Sequence, residues 1–170
     1  TTGEFIPVNN RIGILDRKLR VVNENTGTES EWLKATIEAY KNTYAFEWQG
    51  DSLLIAREAM LTTFIENYKQ HFDKEPSLKH IQIIGDIISW NVWQMDGLKG
   101  VIPDSCSDVT EVIEDLFGNK TENTKECNGC KTNNMLNHNG NYCIIMDWDE
   151  KDPITKTLGK RIKFVDLINK

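Results

Sequence analysis

Long hydrophobic runs are absent from this 170-residue chain. No stretch approaches the roughly 18–20 apolar residues of a membrane span, and the N-terminal "TTGEFIPVNN" has neither the basic nor the apolar region of a secretory signal. An integral membrane protein is excluded on this reading, and a cytoplasmic location with no membrane partner is expected. Basic residues are also short, with 26 acids against 20 Lys and Arg, a net charge of -6 and a pI near 5.1. No basic block advertises non-specific phosphate binding. Proline is confined to Pro7, Pro76, Pro103 and Pro153, and no two are adjacent. There is no Gly-rich phosphate loop ending in Lys and Ser or Thr, and no Ser-His-Asp or Cys-His pairing follows from spacing.

What is present is an ordinary globular composition, 39% apolar and 27% charged with a mean hydropathy of -0.49, suited to one domain with a small appendage. The chain opens on Thr1 and ends just after a strand-like run, so a segment of a longer protein is expected. Residues 3–8, "GEFIPV", read as a strand or loop leading into a helix with Ile12, Leu15, Leu19 and Val22 on one face. A second helix follows Thr28 or Glu29, carrying Trp32, Leu33, Thr36, Ile37 and Tyr40 along one face. "YAFEW" (44–48) reads as a short buried strand, and Asp51 and Ser52 start a long helix through Phe72. A further helix begins near Ser77 and passes into a second short strand, Val92–Met95. This alternation predicts an α/β sheet with parallel crossovers. Residues 104–142 change texture, being polar with one helix-like patch, "VTEVIEDLF", and "YCIIMDW" and "KRIKFVDLI" then read as a strand pair. The expected organisation is a sheet segment over 1–103, a cysteine-rich lobe over 104–143 and a strand pair over 144–170 that completes the sheet.

Three of the four cysteines lie in that lobe and the fourth closes it: Cys106, Cys127, Cys130 and Cys143. Cys127-Asn-Gly-Cys130 is a CxxC whose Gly permits the tight turn that aims two thiolates at one point. Two further thiolates complete a tetrahedral structural zinc site, and His138, five residues before Cys143, could replace one of them. A polar lobe of this size has too little apolar surface to fold unaided, and a metal supplies the missing stability. Reduced buried thiols and disulfides are the alternatives; disulfides need an oxidising compartment. A redox CxxC belongs at a helix start, whereas "ECNGCKTNN" reads as loop.

Two acids end the predicted strands of the first segment. Glu47 closes "YAFEW", where a carboxylate can accept both ribose hydroxyls of a nucleoside, and Trp48 offers a face for a purine. Asp96 closes "VWQMD", where it can accept from an exocyclic amine. The more ordinary role of each acid is a solvated loop residue or a helix cap. The series "YAFEWQGDSLLIARE", a helix, then "IISWNVWQMDGL" resembles two motifs of the Rossmann-like adenine-N6 DNA methyltransferases of restriction-modification systems. The resemblance covers about residues 40–100, with a weaker similarity of "ILDRKLRVVNE" to the helix after the family's first motif. It implies a partial Rossmann-like methyltransferase sheet binding S-adenosylmethionine, with Glu47 on the ribose, Trp48 stacked on the adenine and Asp96 on its amine. The family's first motif is Gly-rich, yet "IPVNNRIGI" offers only Gly13, and its catalytic Pro-Pro motif is absent. No catalytic residue is therefore assigned. The expectation is a catalytically incomplete segment of a DNA adenine methyltransferase, reaching DNA through the parent enzyme or a protein partner that supplies the missing motifs.

A different class of function remains open beside it: a non-enzymatic zinc-containing interaction or regulatory module that binds protein or DNA through residues 104–142. Of the five tryptophans, Trp32, Trp90, Trp93 and Trp148 are expected in packing roles, because none is interleaved with Lys or Arg as in single-strand binders. His71 and His80 are expected to be solvated.

Overall fold

The structure, a computed structural model, describes residues 6–114 and 116–168. Its elements are α1 (Ile14–Asn25), α2 (Glu29–Lys41), β1 (Ala45–Glu47), α3 (Gly50–Phe72), α4 (Leu78–Asn91), β2 (Val92–Gln94), β3 (Val109–Glu114), β4 (Lys120–Lys125), α5 (Asn128–Thr132), β5 (Ile144–Lys151), β6 (Leu158–Lys163) and α6 (Phe164–Ile168). The chain divides into two compact units, residues 1–45 with 51–92, and residues 46–50 with 93–170. The fold is mixed α and β. Among the described residues the strands form three separate two-stranded sheets, β1-β2, β3-β4 and β5-β6. The expected single sheet completed by the C-terminal strands is thus replaced by small pairs. Among the described residues no helix is long and apolar enough to cross a membrane.

The first unit is helical. α2 starts with a capping box, in which the Thr28 hydroxyl accepts the Glu31 N–H while the Glu31 carboxylate accepts the Thr28 N–H. Its buried face, Trp32, Thr36 and Tyr40, meets Leu15, Leu19 and Val22 of α1, Phe64 and Tyr68 of α3, and Ile84, Ile87 and Ile88 of α4. Trp32 lies edge-on to Tyr68 and Phe72, each ring 5.6 Å away, an arrangement that matches ring edge to ring face. Its indole N–H is satisfied by Asn23 Oδ1 at 2.6 Å, and Asn23 Nδ2 in turn donates to Asn67 Oδ1. His71 and His80, expected in solvent, pack on this cluster instead: His71 stacks on Trp32 and His80 lies against Tyr68. Buried Asn91 closes α4 by donating its Nδ2 hydrogens to the carbonyls of Tyr40, Lys41 and Thr43, which satisfies the free end of α2.

The second unit is built around Met95, Cys143 and Ile145, with Phe46, Trp93, Ile162 and Phe164 packed on them. β5 and β6 pair antiparallel, Ile145 opposite Ile162 and Asp147 opposite Lys160. The strand read as continuing through residue 168 stops at Lys163, and 164–168 turn into α6. "VTEVIEDLF" is likewise not helical. Residues 109–114 are β3, antiparallel to β4 with Val109 opposite Lys125 and Glu114 opposite Lys120. Val109, Thr110, Val112 and Ile113 are β-branched and lose χ1 freedom in a helix, and the tight turn around Gly118 (φ 80°) folds the chain back. Asp115 and residues 3–5 of the predicted leading strand lie outside the described residues.

Candidate metal centre

The donors of Cys106, Cys127, Cys130 and His138 all lie within 4.8 Å of one another. Three elements of local structure bring them together. Cys127 caps the one-turn helix α5, so Cys130 comes round to the same side, with the Lys131 N–H on the Cys127 carbonyl at 2.9 Å. This corrects the reading of "ECNGCKTNN" as loop. His138 follows a 3-10 turn over Met135–Asn137, and its N–H donates to the Tyr142 hydroxyl at 2.9 Å. Cys106 is held through its neighbours: Ser107 N–H donates to Asn139 Oδ1, and Asn139 Nδ2 donates back to the Ser107 carbonyl at 2.6 Å. Two glycines make the approach feasible. A Cβ on Gly129 would sit 2.6 Å from both the backbone N and Cγ of His138, and one on Gly140 would sit 3.0 Å from the Cys106 sulfur.

The sulfur-to-nitrogen distances fit a tetrahedral ion. His138 Nδ1 lies 3.4 Å from the Cys106 sulfur and 3.7 Å from each of the Cys127 and Cys130 sulfurs. Zinc bonded to sulfur at about 2.3 Å and to nitrogen at about 2.05 Å sets sulfur-to-nitrogen edges of about 3.6 Å. The protein's own dipoles already favour a thiolate here. The Cys127 thiol is drawn down to about 6, first by the Asn139 N–H at 3.4 Å and then by the Cys130 N–H, with His138 and the Gly129 N–H adding to the effect. Cys106 moves the other way, up to about 11, through burial first and then its hydrogen bonds to Cys127 and Cys130. This is the behaviour of thiols crowded around one point and competing for one negative charge. All four cysteines of the chain are free thiols, and the group of three cysteines and one histidine can hold a metal ion such as zinc.

Cys143 stands elsewhere than the fourfold cysteine reading placed it. It is 1% exposed in the cluster with Met95 and Ile145, and burial pushes its thiol up to about 12. His138 takes the fourth place among the donors. The spacing Cys127-x2-Cys130-x7-His138 contained that signal, but four cysteines close in sequence outweighed it.

The carboxylates of the first segment occupy the second unit as well. β1 and β2 pair, and the Met95 N–H donates to the Glu47 carbonyl at 3.0 Å, so Glu47 and Asp96 end neighbouring strands. Trp48 beside them is 48% exposed, and its carbonyl accepts from Gln94 Nε2. The Glu47 carboxylate accepts the Gln49 N–H at 3.1 Å. Asp96 is 5% exposed, and its Oδ1 accepts the N–H groups of Leu98 and Lys99 at 2.9 and 3.3 Å, which folds the turn from Asp96 to Val101. Asp96, Lys99, Asp104, Asp108 and Glu126 share with Cys106, Cys127 and Cys130 the lining of a cavity of about 160 Å³. Comparison with protein-family models, curated proteins and solved structures finds no match.

Proposed function

We propose that the chain is a non-enzymatic interaction module whose second unit is fastened by one structural zinc ion on Cys106, Cys127, Cys130 and His138. The observation that carries this reading is the convergence of three sulfurs and one imidazole nitrogen at tetrahedral spacing. Four protein ligands close the coordination shell and leave no position for a substrate, which is the donor set of a structural site. When bound, zinc supplies a cross-link between residues far apart in sequence and neutralises the thiolate charge. The residues themselves do the rest: Asn139 and Tyr142 hold Cys127 and His138 in place, and the wholly exposed β3-β4 hairpin is held at its two ends by Cys106 and Cys127. Free thiols in such a site suit a reducing, cytoplasmic setting. Stripping the metal with a chelator should abolish the near-ultraviolet circular dichroism of the second unit's aromatics and expose 104–142 to protease, and added zinc should restore both. An unchanged spectrum and protease pattern after verified metal removal would overturn the reading.

A second reading rests on the pairing of β1 with β2. Glu47, Trp48 and Asp96 lie together at the ends of neighbouring strands, which supports a Rossmann-like, S-adenosylmethionine-binding segment of a restriction-modification adenine methyltransferase. On this reading a separate chain supplies the Gly-rich and catalytic motifs and the grip on DNA. Calorimetric titration with S-adenosylmethionine tests it: saturable binding lost in Glu47→Ala and Asp96→Asn supports it, and no heat from a folded, metal-loaded protein removes it.

A further inference from the structure

The β3-β4 hairpin is the least explained feature of the second unit. All twelve of its strand residues are exposed, including Val109, Val112 at 57% and Ile113 at 55%. A two-stranded hairpin with no third layer is marginal in water. Among the described residues β3 pairs with β4 alone, and its other edge offers backbone N–H and C=O groups to a further strand. From Asp108 to Glu114 the segment carries three acids and no cation.

β6 is its complement. Among the described residues it pairs with β5 alone, and from Lys156 to Lys163 the chain carries four cations and no acid. Lys on an edge strand ordinarily guards against indiscriminate pairing. Here the same charges repel cationic and disfavour apolar edges while attracting an acidic one. We propose that β3 of one copy of this chain adds to the open edge of β6 in a second copy, antiparallel, with Glu111 opposite Lys163, Val112 opposite Ile162 and Glu114 opposite Lys160. This register joins two opposite-charge pairs and one apolar pair, each of the kinds that stabilise neighbouring strands, and sets Ile113 opposite Arg161, whose aliphatic stem can lie along it. Glu111 presently pairs with Lys125 across the hairpin at 2.6 Å, both groups about half exposed, and such a surface pair contributes little and exchanges readily. Lys163 lies over the Tyr142 ring, 4.8 Å from its centroid, which holds the cation in an ordered position. The inference deepens the interaction-module reading by naming the partner, and it does not require that the metal be zinc.

One added strand is a small contact, below the roughly 1,200 Å² of stable complexes, so the association is weak and depends on concentration. Sedimentation equilibrium from about 10 to 500 µM, a range chosen for so small a contact, measures it directly. The weight-average mass should rise above the 19.6 kDa of one chain as concentration increases. Glu111→Lys with Glu114→Lys should hold the mass at one chain, and so should Lys160→Glu with Lys163→Glu. Mixing the two doubly substituted proteins should restore association, because each supplies the charge the other has lost. Metal content measured on every sample separates the two ideas: metal-loaded protein that stays at one chain throughout contradicts the inference and leaves the metal centre standing. Association unaffected by either charge reversal also contradicts it, since another surface would then be responsible.

Discussion

At the scale of single residues, the two buried cysteines of the second unit have opposite chemistry although they lie 16 positions apart in one polar stretch. Cys127 sits under N–H groups and is drawn down to about 6; Cys143 sits among Met95 and Ile145 and is pushed up to about 12. Without metal, the Cys127 thiolate stabilises the fold above an unfolded value near 9.0, and that stability is lost as pH falls through about 6. The buried Cys143 thiol acts with the reverse sign: its stability is fully present below 9.0 and is lost as pH rises through about 12. Metal-free protein should therefore lose stability from Cys143 between pH 9 and 12, and a Cys143→Ala variant should show a smaller alkaline loss in denaturant titrations. That same variant should cost about 1–2 kcal/mol at neutral pH through the cavity it leaves. Gly129→Ala tests the close packing of the centre. Its new Cβ meets His138 N and Cγ at 2.6 Å, so the imidazole must leave its place, and metal affinity should fall at least tenfold in a competition with a chromophoric chelator. An unchanged affinity would mean that His138 is not a ligand.

At the scale of elements, helices were the legible part of the sequence. Thr28 and Ser77 as caps, with the 3.6-residue stripe of Trp32, Leu33, Thr36, Ile37 and Tyr40, define α2 and α4 nearly to the residue, because capping and burial act within one turn of the chain. β3 and α5 were misread for a common reason. Neither buries a full face, so neither leaves a periodic trace: β3 is exposed at every position and α5 is a single turn shaped by its cysteines. The cationic edge of β6 was hidden in a different way, since the whole-chain charge of -6 dilutes a run of eight residues. Asn91 shows what periodicity misses altogether. A polar residue at the end of an apolar helix reads as a boundary, yet its amide serves three carbonyls at the end of α2. Asn91→Ala should destabilise the first unit by roughly 1–3 kcal/mol, the cost of removing a buried donor from the Lys41 and Thr43 carbonyls while the Tyr40 carbonyl keeps the Thr43 N–H, measured by the urea midpoint at constant slope.

At the scale of the whole molecule, the two units are held by different means. The first has an aromatic and aliphatic core of ordinary kind, Trp32, Tyr40, Phe64, Tyr68 and Ile84 all 0–1% exposed. The second has a small cluster around Met95, Cys143 and Ile145 and a polar lobe beyond it, which is the circumstance in which a metal contributes folding free energy outright. Unfolding should accordingly separate into two transitions once metal is removed, the second unit melting first. The sequence held the candidate donors but not which four of them meet, because a donor set is decided by which side chains the backbone turns toward one point. The most direct measurement is the metal content, by plasma mass spectrometry, of protein purified without chelator, compared with Cys143→Ala and His138→Ala variants. One zinc per chain in the native protein and in Cys143→Ala, with loss in His138→Ala, is the expected result. No metal in folded native protein, or metal that depends on Cys143 and not on His138, would contradict the account.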